Sequence, residues 1–149
     1  GIEPERMAFI QKRIAELKAG LAEGGAREAA IRALVYIGLG GEGVDERAFN
    51  ELRQIRAENH GMTLAQFKQT LREQYFSLML DREAALAAIP KMLPADRAVR
   101  ARVLEGIRRI VQATGKASGA RAERLAQVEK LFGTGLRTVA AKKRSRTAA

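Results

Sequence analysis

The chain has no cysteine and no tryptophan, and only 5% of its 149 residues are aromatic. Without Cys it can build no disulfide framework, thiolate metal site or cysteine nucleophile. Proline occurs three times, at Pro4, Pro90 and Pro94, so little interrupts helical runs. No apolar run reaches the ~18 residues needed to span a bilayer as a helix. The N-terminal stretch GIEPERMAF lacks the basic-then-apolar order of a signal peptide. A cytoplasmic location is expected, and a start without Met fits an excised domain.

What is present is abundant Ala and aliphatic residue, 30% charged residues and 14 glycines, the profile of an all-α protein. A chain of this length buries roughly 70% of the surface its unfolded form exposes, enough for one core. Its net charge of +10 is unevenly placed. Arg137, Lys142, Lys143, Arg144 and Arg146 follow Gly133 with no Asp or Glu among them, so the tail carries half of the excess.

Hydrophobic periodicity predicts about seven helices. From Pro4, apolar residues recur at Met7, Ile10, Ile14, Leu17 and Leu21, a single stripe ending at Gly24-Gly25. A second helix, Ala26 to Ile37, carries Ile31, Leu34, Val35 and Tyr36 around more of its circumference and is expected to be more buried. Asp45 reads as the N-cap of a third, with Val44 and Phe49 as a hydrophobic staple, closing at Gly61. In MTLAQF, Thr63 and Gln66 form a capping box, followed by Leu64, Phe67, Leu71, Tyr75 and Leu78. Asp81 caps a shorter helix with Leu86 and Ile89, and Pro90 and Pro94 bracket a turn. Asp96 caps a helix turning Val99, Val103, Ile107, Ile110 and Val111 inward. The last starts near Ser118, carries Leu125, Val128, Leu131 and Phe132, and stops at Gly133. The remaining tail has too little apolar surface to offset its ordering entropy and is expected to be disordered.

IRALVYIGLGGEGVDERAFNELRQI and IRRIVQATGKASGARAERLAQVEKL share one layout: apolar helix, Gly corner, cap, second helix. The repeated corner resembles the TerB-like tellurite-resistance helical domain over about residues 26–133, which implies helical hairpins packed as two bundles. MAFIQKRIAELKAG, REAAIRALVYIGLGGEGVDERAFNELRQIRAE and TLAQFKQTLREQYFSLMLDREAALAAIPKMLP are similar to the C-terminal region of polyhydroxyalkanoate-synthase-like bacterial proteins. That resemblance implies an accessory domain beside an upstream α/β-hydrolase part. The chain then divides into an N-terminal amphipathic helix (1–25), the TerB-like unit (26–133) and a basic tail (134–149). TerB-like corners usually carry an acidic residue before the turn Gly, linked to a metal site in part of the family. Gly40 and Thr114 occupy that position here, which counts against carrying metal binding over.

The Gly-rich corner GLGGEGVDERAF could in principle cradle phosphate, but Glu42, Asp45 and Glu46 stand where an anion would sit. Those three acids are the candidate ligands for a divalent cation. They lack the spaced oxygen ladder of a Ca²⁺ loop, and acids in a helix's first turn are explained by capping and the helix dipole. His60, Ser77 and Asp81 can be drawn as a triad only on paper, because Ser77 lies inside a helix without a nucleophile turn. No catalytic residue and no cofactor are expected of this chain alone. Two interaction features remain. KKRSR and the other tail cations could hold a polyanion non-specifically, with log K falling by about 4.5 per decade of salt for five phosphate contacts. The stripe Met7, Ile10, Ile14, Leu17 and Leu21, if the other helices leave it uncovered, could dock the parent hydrolase, another protein partner, a homodimer partner or a granule surface. Lys12, Arg13 and Lys18 near it would favour an acidic partner or anionic lipid.

Overall fold

The computed structural model describes residues 3–38, 61–113 and 117–136. Among them every regular element is helical, as the periodicity predicts. Helix α1 spans Pro4–Ala19 and runs into a 3₁₀ turn, Gly20–Ala22; α2 is Ala26–Gly38 and α3 Leu64–Leu80. Two short pieces follow, α4 (Arg82–Ala87) and α5 (Ile89–Met92), then α6 (Arg97–Gln112) and α7 (Gly119–Gly133). The helix expected from Asp45, the corner at Gly38–Phe49 beyond its first residue, and the tail cations lie outside the described residues.

Three of the starts, those of α3, α4 and α6, are set by the expected caps. Thr63 Oγ1 accepts the Gln66 backbone N–H at 3.1 Å while Gln66 Oε1 accepts the Thr63 backbone N–H at 2.9 Å, satisfying two donors that the first turn would orphan. Asp81 accepts from Ala84 N–H at 3.1 Å, and Asp96 from Ala98 and Val99 N–H at 2.8 and 3.2 Å. Ser118 precedes α7 but makes no side-chain cap.

Three boundaries differ from expectation. Helix α1 ends at Ala19, and the turn is completed at Gly24, whose φ of 101° favours Gly. Pro90 does not bracket a turn: it sits in the first turn of α5, where a missing N–H costs little. At the far end α7 includes Gly133, and the left-handed residue is Gly135 at φ 78°.

Helix α2 is the axis of the bundle. It packs chiefly on α3, then on α6 and α7, while α5 packs against α7 and α2. Ala29 and Ala33 are fully buried, so their short side chains let neighbouring helices approach closely. Around them close Ile37, Ile89, Ile107, Val128 and Phe132. On α3 the inward face carries Phe67, Thr70, Gln74 and Leu78. Leu64 and Tyr75, which share the expected apolar spacing, are exposed instead, because a helix has room for only one face centred on Gln74.

Candidate interaction surface

Helix α1 differs from the rest in having no buried residue. Met7, Ile10 and Ile14 keep 39%, 39% and 38% of their surface exposed, Leu17 is half-buried and only Leu21 enters the core. The expected stripe thus exists as one row, but only its C-terminal end is covered. An ion pair from Lys18 Nζ to Asp81 Oδ2 at 3.4 Å fastens the same end. The helix holds its shape locally, through Pro4 at its start, Glu5 in the first turn, Lys18 in the last, and the exposed Arg13–Glu16 pair at 3.4 Å. Burying the rest of each exposed stripe residue would contribute on the order of 1 kcal/mol apiece, a gain the described fold leaves unrealised.

Helix α3 adds a second exposed apolar group, Tyr75, Phe76 and Met79, the last two 52% and 65% exposed. Lys68 and Arg72, exposed on the same helix, precede Phe76 at intervals of four residues. Sequence reading missed this face because Tyr75 keeps the same spacing as the inward residues.

The Asp81 carboxyl sits below the usual carboxylate range, chiefly because it accepts the Ala84 N–H. Partial desolvation pushes the other way, and the hydrogen bond and charge of Lys18 lower it further. A carboxyl lowered on folding contributes stability above its unfolded value of about 3.9, and that contribution is lost as pH falls through the lower folded value. Asp81→Asn, which keeps a good cap but removes the charge, is therefore expected to melt below the wild type at pH 7. The gap should close towards pH 2 in a series of thermal melts; a gap independent of pH would count against the charge as its source.

Two buried guanidiniums were not anticipated. Arg32, inside α2, donates from Nε to Gln74 Oε1 and from Nη1 to the Ala85 carbonyl, both at 2.9 Å. Burial pushes its pKa down from the ordinary arginine value, though a guanidinium stays charged. Arg100, inside α6, donates to the carbonyls of Pro94, Phe132, Thr134 and Pro90. A third arginine, Arg124, lies 4.5 Å from the centroid of the Tyr36 ring and donates to the Tyr36 carbonyl at 2.7 Å. The Tyr36 hydroxyl donates to Gln127 Oε1, so the end of α2 is tied to α7. These contacts position helices and offer no reacting group.

The triad drawn from His60, Ser77 and Asp81 is not assembled among the described residues. Ser77 Oγ donates to the Glu73 carbonyl one turn back at 3.0 Å, and Asp81 is engaged by Ala84 and Lys18; His60 lies outside the described residues. The cation candidates Glu42, Asp45 and Glu46 and the tail residues Arg137, Lys142, Lys143, Arg144 and Arg146 also lie outside them. Among the described residues, no three His, Cys, Asp or Glu side chains are grouped to hold a metal ion, and no helix is long and apolar enough to cross a membrane. An open groove between α2 and the start of α3 is lined by Arg27, Met62, Gln66 and Thr70, none of them suited to acid–base work as a pair.

No family model matches the chain, and no solved structure matches it. The chain is similar to a Rhizobium meliloti protein described as "Uncharacterized protein in ackA 5'region", with 45% identity over 129 residues. The match takes in 85% of this chain but only 18% of the relative's length.

Proposed function

We propose that this chain is a non-catalytic, TerB-like helical domain that acts by protein interaction, as an accessory unit beside a polyhydroxyalkanoate-synthase-like hydrolase in the cytoplasm. The observation that supports it most is the row Met7, Ile10 and Ile14, which the described helices leave open although α1 is well formed. A relative of which the match covers less than a fifth fits a domain that works next to other parts of a larger protein.

The test uses that relative. The part of it outside the match, expressed separately, is mixed with the 149-residue chain and run by size exclusion, and both are assayed for ester hydrolysis. Co-elution that Ile10→Asp with Ile14→Asp removes, together with turnover only in the larger part, supports the proposal. Turnover by the chain alone would end the non-catalytic reading. The lack of both a complex and a Gly-x-Ser-x-Gly elbow in the larger part would end the hydrolase association.

The net charge of +10 favours a second reading, polyanion contact through residues 134–149. It requires salt-sensitive DNA binding that disappears when those residues are deleted.

A further inference from the structure

The stripe on α1 has a stricter geometry than an apolar face in general. Its residues are spaced by three, four, three and four, so Met7, Ile14 and Leu21 take the first seam position of a heptad and Ile10 and Leu17 the second. The residues that border such a seam in a paired helix are then Arg6 and Arg13 on one edge and Gln11 and Lys18 on the other. All four are exposed, and none is acidic. The acids of the helix, Glu5 and Glu16, fall away from the edges, and Glu3 is the N-cap before the first seam residue.

This border rules on the occupant. In an antiparallel pair of two copies, Arg6 faces Arg13, a like-charge contact; in a parallel pair, Arg6 faces the neutral Gln11 and Arg13 approaches a Lys18 that Asp81 already engages, so neither arrangement gives the arginines an acid. The chain's +10 adds long-range repulsion between copies. The same border matches a helix whose edge positions are Glu or Asp. The Arg13–Glu16 contact, exposed on both sides, is of the weak, screened kind that a better-placed acid can replace.

We infer that the exposed part of α1, from Arg6 to Ile14, is one half of a heterotypic two-helix pair whose partner is an amphipathic helix with an apolar heptad seam bordered by acidic residues. The inference rests on reading the chain as an interaction domain and specifies how that interaction is made. The partner lies along Met7, Ile10 and Ile14 and stops where Leu17 and Leu21 pass into the core. There Lys18 is already engaged by Asp81.

The probes are two synthetic three-heptad peptides with Leu at both seam positions, one bordered by Glu and the other by Lys. Each carries a fluorophore and is titrated with the full 149-residue chain at low salt. The Glu peptide should bind at least ~10-fold more tightly than the Lys peptide, with the ratio shrinking as salt rises. Arg6→Glu with Arg13→Glu should reverse the preference. Ile10→Asp with Ile14→Asp should abolish binding while the circular dichroism still shows a folded helical chain, because neither position belongs to the buried core. Equal binding of the two peptides, or binding of neither, overturns the inference. So does sedimentation showing a dimer of the chain that the double Asp variant loses. Because the peptides contain nothing of the larger relative, their failure leaves the co-elution experiment as the separate judge of the interaction-domain reading.

Discussion

Replacing Arg100 with Ala should destabilise the fold by about 3–5 kcal/mol, measured by denaturant unfolding. The magnitude follows from what the guanidinium holds. Its Nε and Nη atoms donate to four carbonyls: Pro94 at 2.6 Å, Phe132 at 3.1 Å, Thr134 at 2.7 Å and Pro90 at 3.3 Å. A hydrogen bond to a charged group contributes about 1.5–3 kcal/mol, and an orphaned buried acceptor costs about 1–3. Because some of these carbonyls can recruit water once the side chain is gone, the sum is discounted to the stated range. Pro94 and Pro90 belong to the α5–α6 corner, and Phe132 and Thr134 to the end of α7, so one side chain joins segments distant in sequence. Arg100→Lys should recover only part of the loss, since an ammonium cannot address four acceptors from a planar fork. A loss below about 1 kcal/mol for the Ala variant would mean that the carbonyls are satisfied without it.

Ile89→Ala should cost about 2–5 kcal/mol. Ile89 is fully buried at the start of α5, a four-residue helix that is held by what it packs against rather than by its own propensity. Truncation there removes transfer free energy and leaves a void between α5, α2 and α7. The contrast is Phe9→Ala: Phe9 is 70% exposed on α1, and its removal should stay within about 0.5 kcal/mol. If Phe9→Ala loses as much as the about 2–5 kcal/mol expected of Ile89→Ala, α1 is packed in solution and its apolar row is not free to dock.

How far this was readable from the sequence differs by feature. The helices and their starts were legible because the responsible interactions are local: Thr63 with Gln66, Asp81 with Ala84, and Asp96 with Ala98 and Val99 lie within three residues of each other. The stripe on α1 was also legible, but whether anything covers it depends on where the other helices go. Long-range polar contacts were not read. Arg32 stands among aliphatic residues on the most buried helix, and Arg100 shares a row with Leu104, Ile107 and Val111. In both cases an arginine in line with core residues was the available signal. The exposed Tyr75 and buried Gln74 show the opposite failure: the spacing of apolar residues fixes a helix better than it fixes which side faces inward, and here the hydrogen bond from Arg32 to Gln74 goes with that orientation.

The acceptors chosen by the two buried arginines have a consequence for how this protein can vary. Apart from Gln74, every oxygen they contact is a peptide carbonyl, a group that any amino acid supplies. The link itself therefore places no demand on the side chains at 85, 90, 94, 132 and 134, although Ala85 and Phe132 are held to their identities by the core they pack in. Mutual substitution between positions would leave no trace of it. Peptide oxygens also do not take up protons in the ordinary range, so these inner fastenings should persist in acid that strips charge from the surface.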